Sequence, residues 1–193
     1  HNLGQVPGMI IAKKISGSGD WHVLHRSVTM SGTGNSSTGG LKLNATGAST
    51  YYTHQWEHAY PEATLFKVAH VSGASAQTLN TDGETYIAYL FGHDTSSDGM
   101  IQCGTVDVDG SNNATVNLGF EPQWFLGRTY TSSADWEIHD TLRNWNVSNL
   151  SKLHASGNVS ETTYNAKYSW ATNTGFETSG YFSGSQKLLY VAI

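Results

Sequence analysis

A chain of 193 residues is long enough for one large domain or two small ones with a sizeable core. Charged residues make up 13%, against roughly 25% in an average soluble protein, and the net charge of −5 includes no basic run, which argues against nucleic acid and anionic membrane as partners. The single cysteine, Cys103, excludes an internal disulfide and a Cys-based zinc site, so a core must hold the fold.

In chain order, 8–14 (GMIIAKK) and 20–26 (DWHVLHR) read as two strands of a hairpin, joined by a Gly/Ser turn. Residues 31–40 are polar and read as a loop. Short β-prone runs follow at 40–45, 49–56, 65–70, 84–91 and 100–106, each bounded by Gly, Pro, Ser or Asp. After the turn-rich stretch 107–113, further strands are expected at 123–129, 135–142, 151–155, 162–170 and 187–193. Short strands at regular spacing, with three prolines and no sustained helical period, predict an all-β sandwich. No stretch approaches the roughly 18 consecutive apolar residues of a membrane span, and no signal peptide is legible. The chain opens already inside a repeat, so a longer parent chain is expected.

That repeat organises the sequence. Residues 2–26 and 117–141 align at a constant offset of 115, pairing Asn2 with Asn117, Pro7 with Pro122, Lys13 with Arg128, Asp20 with Asp135 and Trp21 with Trp136. Later echoes are looser: Leu43 to Gly47 answers Leu153 to Gly157, Thr50-Tyr51 answers Thr163-Tyr164, and Tyr86 to Ala88 answers Tyr190 to Ala192. The expected organisation is a first β repeat at 1–97 and a second at 98–193, packed as one pseudo-symmetric sandwich. Gly127 stands out, because an apolar strand residue is expected there.

The candidate sites are few. His54-Gln-Trp-Glu57-His58 matches a zinc-peptidase pattern, and on a helix His54 and His58 would share a face with Glu57 nearby as base. The preceding run is strand-forming and Pro61 follows closely, so an extended chain is the stronger reading. Asp107 and Asp109 offer oxygen ligands to calcium, but without the closing Glu of an EF-hand the stretch reads as a plain turn. Glu57, Glu62, Glu121, Glu137, Glu161 and Glu177 could supply paired carboxylates for glycoside hydrolysis, yet spacing singles out no pair. Six Trp and ten Tyr among few charges suit a sugar ring, and Trp145 and Tyr60 are the aromatics expected to be exposed for one.

The phrases NLGFEPQWFLGR, DWEIHDTLR, GETYIAYLFGHD and DGMIQCGTVDVDGSNNATVNLGF together resemble a poorly characterised duplicated β-domain family of tail-fibre-like and structural virion proteins of tailed bacteriophages. The resemblance covers nearly the whole chain. It implies a sandwich of jelly-roll or concanavalin-like lectin type, on a virion surface, in assembly or host attachment, with other virion proteins, a host glycan and further copies of itself as partners. The family offers no established catalytic residues to carry over, and no enzyme activity, cofactor, nucleic-acid binding or membrane insertion is expected. The alternatives are a lectin-type carbohydrate-binding module and, behind it, a metal-dependent hydrolase.

Overall fold

The computed structural model describes residues 1–28, 39–48, 50–51, 56, 60–68, 79–145, 149–164, 168–180, 182 and 186–193. The fold is all-β, with antiparallel sheets stacked in layers. Among the described residues the one helical turn is a 3-10 turn at Thr141–Arg143.

The first sheet holds β1 (Met9–Lys14), β2 (Trp21–His25), β3 (Gly39–Lys42), β4 (Thr50–Tyr51) and β5 (Tyr86–Phe91), in the order β4-β3-β2-β1-β5. The next strands are β6 (Gln102–Asp107), β7 (Asn113–Asn117), β8 (Trp124–Thr129), β9 (Glu137–Asp140), β10 (Leu150–His154) and β11 (Thr162–Tyr164). Last come β12 (Ser169–Thr172), β13 (Gly175–Ser179) and β14 (Lys187–Ala192). The second sheet runs β11-β10-β9-β8-β14-β6, which is the order of the first sheet with β6 added at one edge. In both, four strands meander and a later strand returns beside the first.

Register extends the equivalence to single residues. Met9 pairs with His25 on β1 and β2, and Trp124 pairs with Asp140 on β8 and β9, so the offset of 115 holds on both strands of each hairpin. Further on, Val23 pairs with Leu41 and Ile138 with Leu153, which sets Leu41, two residues before Leu43, against Leu153. Ala12 likewise pairs with Ala88 where Gly127 pairs with Tyr190, so Ala88 and Tyr190 are the structural equivalents. Both slips are two residues, and a two-residue slip leaves every side chain on its own face.

The two large sheets meet through a shared core. Met9, Ile11, Val23 and Leu41 of the first pack with Leu126, Leu189 and Val191 of the second, joined by Trp136 just ahead of β9. The outer face of the first sheet carries Ile10, Ala12 and Leu24 against Trp56 and Leu79. That of the second carries Phe125, Leu150, Leu188 and Tyr190 against the small sheet β12-β13-β7, with Phe176 and Val116. Each central strand is thus buried on both faces. This accounts for continuous apolar runs such as MIIA where a half-exposed strand would alternate.

Polar bonds cross from one repeat to the other. The Trp136 indole N–H donates to the Lys42 carbonyl at 2.9 Å, and the Ala134 N–H to the Thr46 carbonyl at 2.9 Å. His25 is buried on β2, with Nε2 3.0 Å from the Tyr190 carbonyl oxygen and Nδ1 3.2 Å from the Ser27 nitrogen. One neutral tautomer satisfies both contacts, Nε2–H donating and Nδ1 accepting. Burial, opposed by the Tyr190 bond, takes the His25 pKa from 6.5 down to about 4. Above pH 6.5 both states hold a neutral ring; below it the unfolded chain takes up a proton that the folded chain refuses until about pH 4. Stability is therefore expected to fall by about 3 kcal/mol across that window as the pH drops. Urea midpoints of wild type and His25→Gln test this: the variant's curve should be flatter between pH 6.5 and 4.5, and parallel curves would refute the assignment.

Candidate functional site

Sequence alternation sends Ile138 into the central core and Glu137 and His139 to the outer face of the second sheet. Lys152, on the neighbouring β10, joins them. Its Nζ lies 2.6 Å from Glu137 Oε1, and Glu137 Oε2 lies 3.3 Å from His139 Nε2. All three side chains are buried. Burial pushes the Glu137 carboxyl up, but His139 and Lys152 outweigh it and hold the group below its usual range, ionised. The Lys152 ammonium also sits 5.1 Å from the centre of the Tyr164 ring, within cation–π range.

This pair forms the floor of an open, mostly polar cleft of about 330 Å³, whose walls include Thr129, Ser133, Asp135, Tyr164, Phe182 and Gln186. Asp135 stands at the rim, 44% exposed, with Oδ2 3.5 Å from His154 Nδ1 and Oδ1 accepting from the Ser156 hydroxyl at 2.8 Å. The cleft offers carboxylate, ammonium, hydroxyl and amide groups beside two aromatic rings. A carboxylate held ionised in an ion pair is poorly placed to donate a proton.

The first repeat does not carry this constellation. By strand register the equivalents of Glu137, His139 and Lys152 are His22, Leu24 and Gly40. Gly127 belongs to the same rebuilding. A Cβ there would lie 2.7 Å from the Leu189 carbonyl oxygen and 2.3 Å from the Phe125 ring, and one on Gly104 would lie 2.5 Å from the Tyr190 hydroxyl. Tyr190 pairs with both glycines, whereas its counterpart Ala88 pairs with Ala12. The second copy thus exchanges small residues for a tyrosine flanked by glycines, and its outer face is remade.

The residues singled out in sequence are scattered. Trp145, expected at the surface, is fully buried. The 3-10 turn ends at Asn144 in the left-handed region (φ 67°), which folds the chain inward. The Trp145 ring then packs against Phe125 and Phe176, and its N–H donates to Ser169 Oγ at 3.0 Å. Tyr60 is 54% exposed and edges a small apolar hollow with Val6, Pro7 and Pro61. His54, Glu57 and His58 lie outside the described residues; Trp56 between them is buried and bridges to Val68. Asp107 pairs with Lys187 at 2.6 Å, while Asp109 Oδ1 accepts from the Ser111 and Asn113 N–H groups, both at 2.8 Å, as a turn-forming Asp does. Among the described residues, no three His, Cys, Asp or Glu side chains converge as metal ligands. Cys103 is buried, its pKa raised by burial to about 12.

Glu137 and Lys152 had no sequence signal as a pair, being 15 residues apart on neighbouring strands. Their trace is the departure between repeats, visible once register aligns them. No curated protein and no solved structure matches the chain. A family model matches residues 1–187, and the chain belongs to that family, described as a domain of unknown function (DUF7483).

Proposed function

We propose that the chain is a non-enzymatic module of a bacteriophage virion surface protein, whose second repeat contacts a saccharide of the host surface. The observation that carries this reading is the cleft over Glu137 and Lys152, whose charged floor has His22 and Gly40 as its counterparts in the first copy while the scaffold is kept in both. Sugar rings present apolar faces beside hydroxyls, and the cleft sets Tyr164 and Phe182 beside groups that donate and accept hydrogen bonds. The setting rests on the resemblance of the chain's ordered phrases to phage structural proteins, which suggests a particle surface, other virion proteins as neighbours, and a homo-oligomer. An ionised Glu137, fixed by Lys152 and His139, supports binding over hydrolysis.

A glycan array followed by calorimetry on the intact chain tests the reading. A retained saccharide should bind about tenfold more weakly to Tyr164→Ala, the loss expected for truncating one aromatic anchor. A blank array from protein that still joins particles would sink the saccharide reading and leave an architectural role.

A further inference from the structure

We infer that the cleft selects its saccharide by charge, admitting neutral and amine-bearing sugars and rejecting uronic and other acidic ones; this rests on the saccharide reading above. Three charged side chains face the cleft among the described residues: Asp135, Glu137 and Lys152. The ammonium is compensated inside the wall, 2.6 Å from Glu137. Among the described residues, two further cations of the second repeat are held by other partners. The Arg128 guanidinium reaches the carbonyls of Ala45, Thr46 and Gly47 on the opposite face of the sheet, and Lys187 is held by Asp107. Among the described residues that line it, two carboxylates against one ammonium give the cleft wall a net negative charge, with the Asp135 charge shared in part with Arg128 behind the sheet.

A comparison within the chain points the same way. At the corresponding corner of the first repeat, Asp20 is held by Lys42 at 2.6 Å. Register places His154 where Lys42 stands, and the contact from Asp135 to His154 is longer, at 3.5 Å. The lysine ammonium of the first repeat has been exchanged for an imidazole that stands farther from the carboxylate. The carboxylate at the rim is thereby left to face the cleft. An acidic sugar entering it meets like charge, which disfavours that class of ligand, whereas an amine finds a partner.

Calorimetry at pH 7 with length-matched oligomers of N-acetylglucosamine, glucosamine and galacturonate tests the inference on the full chain. The neutral and amino oligomers should bind, and the galacturonate at least about tenfold more weakly than either. Added salt should narrow the gap between amino and uronic oligomers in the wild type. Asp135→Asn should narrow it too, by about fivefold, in protein whose melting is checked because Asp135 also holds Ser156. Galacturonate binding as tight as the neutral oligomer overturns the charge rule and leaves the saccharide reading standing. Binding of none of the three, with glycan arrays blank, overturns both.

Discussion

Replacing Arg128 by methionine is expected to destabilise the chain by about 2–3 kcal/mol, the order of a charge-assisted hydrogen-bond cluster whose acceptors water reaches in part. Arg128 is fully buried on β8. Its Nε donates to the Thr129 carbonyl at 2.9 Å, Nη1 to Ala45 at 3.1 Å, and Nη2 to Thr46 at 2.8 Å and Gly47 at 2.7 Å. The carbonyls at 45–47 belong to the first repeat, and the guanidinium ties that loop to the second while lying 5.6 Å from the centre of the Trp136 ring. Burial lowers its pKa, which Asp135 partly offsets, to about 10, so the group stays charged at neutral pH. Methionine fills similar volume but removes every donor to these carbonyls, of which those of the exposed Thr46 and Gly47 can be met in part by water. Lysine should recover less than half of the loss, because one ammonium cannot span the positions that a planar fork reaches. The first repeat shows this in place: Lys13 is the equivalent residue, and its Nζ donates to the neighbouring Lys14 carbonyl. Urea denaturation of the three proteins decides it, and a methionine variant within about 1 kcal/mol of wild type would mean that water replaces the guanidinium at no cost.

The inter-repeat clamp was half legible in sequence. Aligning Lys13 with Arg128 and Trp21 with Trp136 identified equivalent positions, and the register of both hairpins agrees with that alignment. Equivalence of place did not carry equivalence of environment. Trp136 is fully buried between the sheets, while Trp21 is half-buried beside the exposed Tyr89. Where the alignment relied on short echoes such as Leu43 with Leu153, it slipped by two residues. The alternation of faces gives no warning of an even slip. The run 162–170, read as one strand, holds β11 and the start of β12, and β13, with a sequence of GFETS, was missed because so short and polar a strand carries no pattern of its own. Trp145 was misjudged because its Asn neighbours suggest an exposed loop, and the left-handed turn that buries it depends on packing that composition does not encode. The cleft was hidden for a different reason. Glu137 and His139 alternate with Trp136 and Ile138 as a half-exposed strand would, and the layer that covers that face is set by the strands β7, β12 and β13.

The pair at the cleft floor should behave as a coupled unit. Lys152→Met alone is expected to cost about 3–5 kcal/mol, because it removes the cation 2.6 Å from the buried Glu137 carboxylate. Glu137→Gln alone should also destabilise, by about 2–4 kcal/mol, since an isosteric amide meets the ammonium without charge. The double variant should lie within about 1 kcal/mol of wild type, as replacing both partners removes the desolvation cost together with the attraction. A double-mutant cycle by urea denaturation at pH 7 measures the coupling. Additive losses would mean that the two groups act independently, each with water or another partner. The cycle also separates structure from function. The outer face of the first repeat packs its apolar side chains with His22, Leu24 and Gly40 at the matching positions, so the scaffold has no general need for an ion pair there. A double variant that folds as well as wild type but no longer holds a saccharide would show that the pair is retained for the cleft; one that folds and binds unchanged would remove Glu137 and Lys152 from the site.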